Sequence, residues 1–111
     1  MQFRARAISY TDQYPAAQTW LIVTQQGNAL GQYILSETAQ VLRIVDLAIL
    51  PQYRSRGVAT QVLQQLQQQA AAAGLSLALR VAKESPALRL HTRLGFVVTG
   101  EDALSYQMIW R

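Results

Sequence analysis

A chain of 111 residues, half of them hydrophobic, can bury one modest core, so a single domain over residues 1–111 is expected. There is no cysteine and only one histidine, which excludes a disulfide framework, a thiol nucleophile and any Cys- or His-rich metal site. No metal is therefore expected, and a reducing cytoplasm is the expected location. The formal charge is +4 with only 14% of residues charged, and the excess is local. Arg54, Arg56, Arg80, Lys83, Arg89 and Arg93 stand against a lone Glu84, a field that suits a compact polyanion better than a long duplex. The apolar runs "VLRIVDLAIL" and "AAAAGLSLALRVA" are broken by charges or glycine before they reach a membrane-spanning length, and "MQFRARAISY" lacks the apolar segment of a signal peptide.

At the start of the chain Phe3, Ala7, Tyr10 and Tyr14 recur at helical spacing, which predicts an amphipathic helix that Pro15 ends. The runs "TWLIVTQ" and "LGQYILS" flank "QGNA", where Gly27 and Asn28 tolerate positive φ, and predict an antiparallel hairpin. "VLRIVDLAIL" follows as a third strand. It is apolar on both faces apart from Arg43 and Asp46, as a central strand covered on two sides should be.

Beyond "PQYRSRGVAT", Val58, Val62, Leu66, Ala70 and Ala73 form an apolar stripe opposite Gln61, Gln64, Gln65 and Gln68, with Gly74 as a left-handed C-cap. This predicts a long helix. "LSLALRVA" is the next strand, and the intervening helix makes it a parallel neighbour of the third. Ser85 and Pro86 supply an N-cap and a first-turn proline for a short helix through about Leu94. "GFVVTG" and "LSYQMIWR" close the chain as two strands. The sum is an α/β domain with a mixed sheet.

"PQYRSRGVAT" lies where a strand runs into a helix N-terminus, so backbone N–H groups lack partners and the helix dipole is positive. Gly57 and Ala59 leave the backbone accessible, Arg54 and Arg56 supply charge, and Thr60 a hydroxyl. The same residues also suit a solvated basic turn. A nucleotide-hydrolase loop is excluded because its Lys-Ser/Thr pair and glycine spacing are missing, and a dinucleotide fingerprint because it needs three glycines.

From Val45 onward, "VDLAILPQYRSRGVATQVLQQLQQQAAAAG", "LALRV" and "ESPALRLHTRLGF" resemble the GNAT superfamily of acetyl-CoA-dependent N-acyltransferases. The family's pyrophosphate loop is matched by Arg54, Gly57 and Ala59, and its second motif by Ala87 and Gly95-Phe96. The resemblance covers most of the chain from about Thr19. It implies a mostly antiparallel sheet with a central parallel pair that splays apart.

It further implies acetyl-CoA as acyl donor, with its pyrophosphate on the backbone of Ser55, Arg56, Gly57, Val58, Ala59 and Thr60 and its pantetheine beside Leu47, Ala48 and Ile49. The N–H near Ile49 would polarise the thioester carbonyl for direct attack by an amine, with no covalent enzyme intermediate. Where the family usually has a tyrosine acid, four residues before Gly-Phe, this chain has His91. An imidazole titrating near neutrality suits protonation of the leaving thiolate; His91 equally suits a packed position beside Ala87 and Leu94. The family's frequent asparagine falls on Glu84 or Ser85, the latter also a candidate N-cap. Asp46 is either a base for the amine proton or a buried acid paired with Arg43 or Arg80. Arg89 and Arg93 either reach the coenzyme's phosphates or are solvated charges.

Family members begin with a strand and a helix that the resemblance does not find here. The first strand's absence would leave an open edge at "TWLIVTQ", which predicts a fragment of a longer acyltransferase or a homodimer that covers the edge. The acceptor is then a small-molecule or protein amine. The alternatives are a non-catalytic coenzyme A-binding or protein-interaction module, and an RNA-binding domain, for which no aromatic-basic strand motif is present. No nucleic acid or membrane partner is expected.

Overall fold

A computed structural model of the chain describes residues 3–8 and 17–111, with side chains given for Arg4 and Ala5 alone in the first segment. Seven strands form one sheet in the order β1-β2-β3-β4-β5-β7-β6. They are β1 (Phe3–Ile8), β2 (Ala17–Thr24), β3 (Ala29–Glu37), β4 (Val41–Ile49), β5 (Ser76–Ala82), β6 (Val97–Glu101) and β7 (Ser105–Trp110). Helix α1 (Val58–Ala73) links β4 to β5, and α2 (Ala87–Arg93) links β5 to β6. Every neighbouring pair is antiparallel except β4 and β5. The mixed sheet with a central parallel pair is thus the expected architecture.

The opening segment corrects two expectations. Phe3–Ile8 is a strand rather than a helix, and it pairs with β2 from Phe3↔Thr24 to Ile8↔Thr19. "FRARAI" alternates apolar and basic residues up to Ala7, and this period of two, combined with the ladder available along β2, overrides the i, i+4 spacing that suggested a helix. The edge at "TWLIVTQ" is therefore held by the chain's own first strand, which removes the reason for a second copy to cover it. Tyr10 and Tyr14, and the question of a first helix, lie outside the described residues.

The core lies between one face of the sheet and the two helices. Ile22, Tyr33, Leu35, Leu42, Ile44, Leu77, Leu79, Val81 and Met108 meet Val58, Val62, Leu63, Leu66 and Ala70 of α1. The helix ends on Gly74 at φ 71°, where Gly74 N–H donates to Ala71 O at 3.1 Å and Leu75 N–H to Ala70 O at 2.8 Å. Gln67 is also buried on this helix, its Nε2 donating to Leu94 O at 2.9 Å and tying α1 to the end of α2. The opposite face of β4 is not covered as the sequence suggested: Arg43, Val45, Asp46 and Ala48 are exposed. The β3–β4 register shifts between Ile34 and Leu35, which face Asp46 and Ile44, so Val45 is the extra residue of a bulge. Among the described residues no helix is long and apolar enough to cross a membrane.

Candidate functional site

β4 and β5 are nine and seven residues long, yet they pair only from Val41↔Ser76 to Ile44↔Leu79. Beyond that point they separate. A cleft of about 480 Å³ opens between them, lined by Asp46 to Ile49 of β4, Leu79 to Ala82 of β5, Ala59 and Leu63 of α1, and Ser85, Ala87, Leu90 and His91 at α2. A second hollow of about 340 Å³ adjoins it, lined by Ile49, Arg54, Ser55, Gly57 to Thr60, Leu90 and Arg93.

The loop between β4 and α1 is built to present backbone donors. After a short 3-10 turn at Pro51–Tyr53, Ser55 takes φ 62° and Gly57 φ 79°, so the chain enters α1 through left-handed positions. Gly57 O accepts from Gln61 N–H at 3.1 Å as the first helical bond, and no side chain caps the helix. Among the described residues, none of the N–H groups from Ser55 to Thr60 has an acceptor within the protein. A row of free donors at the positive end of a 16-residue helix is chemically suited to an anion.

Arg54 folds back so that its Nε donates to Ile49 O at 3.1 Å, leaving its terminal nitrogens beside the hollow. Arg93 lines the same hollow, whereas Arg56 and Arg89 line neither cavity. At the end of β4, Leu50 N–H donates to Leu30 O across to β3. Strand alternation then directs the N–H of Ile49 the other way, into the gap left by β5. Ser85 Oγ accepts from Ala87 N–H at 3.1 Å, so Ser85 does cap α2 while also lining the cleft.

His91 is 7% exposed, and its ring lies edge-on to Phe96 with centroids 5.7 Å apart. Its Nδ1 is buried without a partner. Nε2 has no partner among the described residues either and is not a buried atom, and the residue lines the cleft. Burial pushes the imidazole pKa below its ordinary 6.5. Between the lowered folded value and 6.5 the unfolded chain binds a proton that the folded one does not, so stability falls as pH drops through this window. Thermal midpoints of the wild type are expected to decline from pH 7 towards acid, and His91→Leu should lose that part of the slope.

Asp46 corrects the expectation of a buried ion pair. It is exposed at the cleft and makes no ion pair among the described residues, where the pair present is Lys83–Glu101 at 2.6 Å. The bulge at Val45 is the cause, since it turns Asp46 away from the helices. Arg80 also lines the cleft, whereas the sequence offers it only as one cation of the basic field or as a partner for Asp46. The signal was there: it stands between Leu79 and Val81, both core residues, so alternation puts its side chain on the opposite face.

The family model of the acetyltransferase (GNAT) family matches residues 2–96. No curated protein sequence matches the chain. A GNAT family acetyltransferase from Elizabethkingia anophelis, solved with acetyl-CoA bound, superposes with a TM-score of 0.80 at 12% identity, over 99% of this chain and 97% of that one. Mutant forms of the spermidine/spermine N-acetyltransferase from Vibrio cholerae give 0.78 at 17% identity, over 98% and 94%. An N-acetyltransferase from Thermoplasma acidophilum in complex with coenzyme A gives 0.76 at 16% identity, over 86% of this chain and 61% of that one.

Proposed function

Since the chain belongs to the GNAT acetyltransferase family, we propose that it is an N-acetyltransferase that moves an acetyl group from acetyl-CoA to an amine by direct attack. The observation that carries this is the row of free N–H groups from Ser55 to Thr60 opening onto a cleft between parting parallel strands. The row would hold the pyrophosphate, with Arg54 and Arg93 adding charge. The edge of Leu47 to Ile49 faces the gap as an unpaired strand does, and an extended pantetheine amide chain would pair along it. Relatives solved with coenzyme A or acetyl-CoA support the donor.

The Ile49 N–H then stands where the thioester oxygen gains charge as the amine nitrogen bonds to the acyl carbon. The carbon–sulfur bond breaks, the thiolate leaves, and the nitrogen gives up a proton to Asp46 or to water at the cleft mouth. His91 is the residue lining the cleft able to protonate the sulfur. Burial makes the neutral ring the main form near pH 7, so the proton would come from the minor imidazolium form, which leaves a neutral imidazole behind and is replenished from solvent.

The test is acetyl-CoA turnover with a panel of amines, comparing wild type with His91→Phe. The variant should bind acetyl-CoA as the wild type does and lose roughly 100-fold in turnover, the usual worth of a general acid. Unchanged turnover would remove His91 from the chemistry. Acetyl-CoA binding with no turnover by the wild type would make the chain a coenzyme-binding module instead.

A further inference from the structure

The cleft passes through the sheet, and its two openings differ in charge. On the helix side it is walled by Ala59, Leu63, Leu90 and His91 and adjoins the row of free donors. On the other side it opens beside Asp46 and Arg80, both exposed. An acceptor must arrive from this second side, because the helices and the bound donor fill the first. Among the described residues Asp46 is the one carboxylate lining the cleft, and Arg80 the one cation lining it on this side.

Neither is committed elsewhere. Asp46 and Arg80 have no hydrogen bond or ion pair among the described residues. Lys83 is taken by Glu101 and lies 5.2 Å from the ring centre of Tyr106. Asp102, close enough to feel the charge of Arg80, spends its carboxylate on Leu104 N–H at 2.9 Å and on Ser105 N–H at 2.8 Å and Oγ at 3.0 Å. Arg43 adds a further exposed guanidinium to the same face, since it pairs with Ala78, two residues before Arg80 on β5.

We propose that the acceptor is a small amine that also carries an anionic group, a carboxylate or a phosphate ester, with Arg80 gripping the anion and Asp46 facing the amine. The inference rests on the acetyltransferase function proposed above. A guanidinium fork matches either anion in two parallel hydrogen bonds, whereas a hydroxyl or apolar tail offers it nothing. A polyamine is disfavoured for the converse reason: each extra ammonium group would need an acid, and would meet Arg80 and Arg43. Arg80 is thus a specificity-determining residue, distinct from the groups that hold the donor.

The test compares L-methionine, O-phosphoethanolamine, tyramine and spermidine as acceptors for the wild type, Arg80→Gln and Arg80→Glu. For the wild type, kcat/KM should favour one of the two anionic acceptors over spermidine. Arg80→Gln should lower that value by roughly 10- to 100-fold, the worth of a charge-assisted pair, and Arg80→Glu should shift the preference to spermidine. Stabilisation by acetyl-CoA should stay unchanged in both variants. Calorimetric binding of the same amines to the coenzyme A complex supplies a readout that needs no turnover. Anionic amines that bind through Arg80 without being acetylated would support the inference while refuting the enzymatic function. Spermidine preferred in both assays, or an anionic preference indifferent to Arg80, would overturn the inference.

Discussion

Gly57→Trp is expected to fold and to lose its stabilisation by acetyl-CoA. A Cβ built on Gly57 meets nothing within 4 Å, so the fold has room for a side chain there. The cost to stability is confined to holding a non-glycine residue at φ 79°, about 1–2 kcal/mol. On the proposed function, a pyrophosphate would have to approach Gly57 through this open space to reach the free N–H groups of Ser55 to Thr60. An indole filling it would hold the phosphates away from the backbone and forfeit charge-assisted bonds of about 1.5–3 kcal/mol each. Loss of even one weakens binding by roughly 10- to 100-fold. A thermal-shift titration with acetyl-CoA checks this, with Gly57→Ala as the milder case. Equal shifts for Gly57→Trp and wild type would sink the assignment of the loop.

Gly31→Ala should damage the fold more than any other single methyl group added at a described glycine. Gly31 faces Ile49 across the β3–β4 ladder, and a Cβ there would run into the Ala48 carbonyl oxygen and lie 2.9 Å from Ile49 Cα. Both are backbone atoms of the strand that carries the donor edge, so no side chain can swing aside. The two strands must move apart, at a cost of about 3 kcal/mol or more. For a domain of this size that lowers the thermal midpoint by roughly 10 °C or more. Chemical or thermal denaturation measures it. A midpoint within a degree or two of wild type would show that β3 and β4 do not approach as closely as described. Because the displaced strand bears Ile49, acetyl-CoA affinity should fall with the stability.

The helices and inner strands were legible because their signals are local. Val58 to Ala70 repeat at helical spacing, Gly74 marks the helix end, and Gly27 at φ 90° marks the hairpin. The backbone form of the loop before α1 was legible too, since Gly57 and Ala59 sit where a strand meets a helix. What failed depended on partners distant in sequence. Phe3–Ile8 carries both a helical and a strand-like spacing, and only the ladder with β2 decides between them. A buried pair stands as one of two readings of Asp46 because a continuous apolar run hides which face each residue takes, and no feature of "VLRIVDLAIL" announces a bulge. Arg80 followed from the same blindness: its place in the cleft exists only because β4 and β5 part after Ile44 and Leu79.

That bulge settles the parity of the strand. Up to Val45 the even-numbered residues Leu42 and Ile44 face the helices; beyond it the odd-numbered Leu47 and Ile49 pack towards the same core. Without Val45, Ile44 and Asp46 would become consecutive partners of Leu35 and Ile34, and β4 would alternate regularly from Leu42 to Ile49 with both halves still in register with β3. The pairing of Val41 to Ile44 with β5 would stay as it is. A single codon lost here would thus straighten β4 while keeping its partners, and would take away the local bend that the bulge adds at the point where the strand leaves β5.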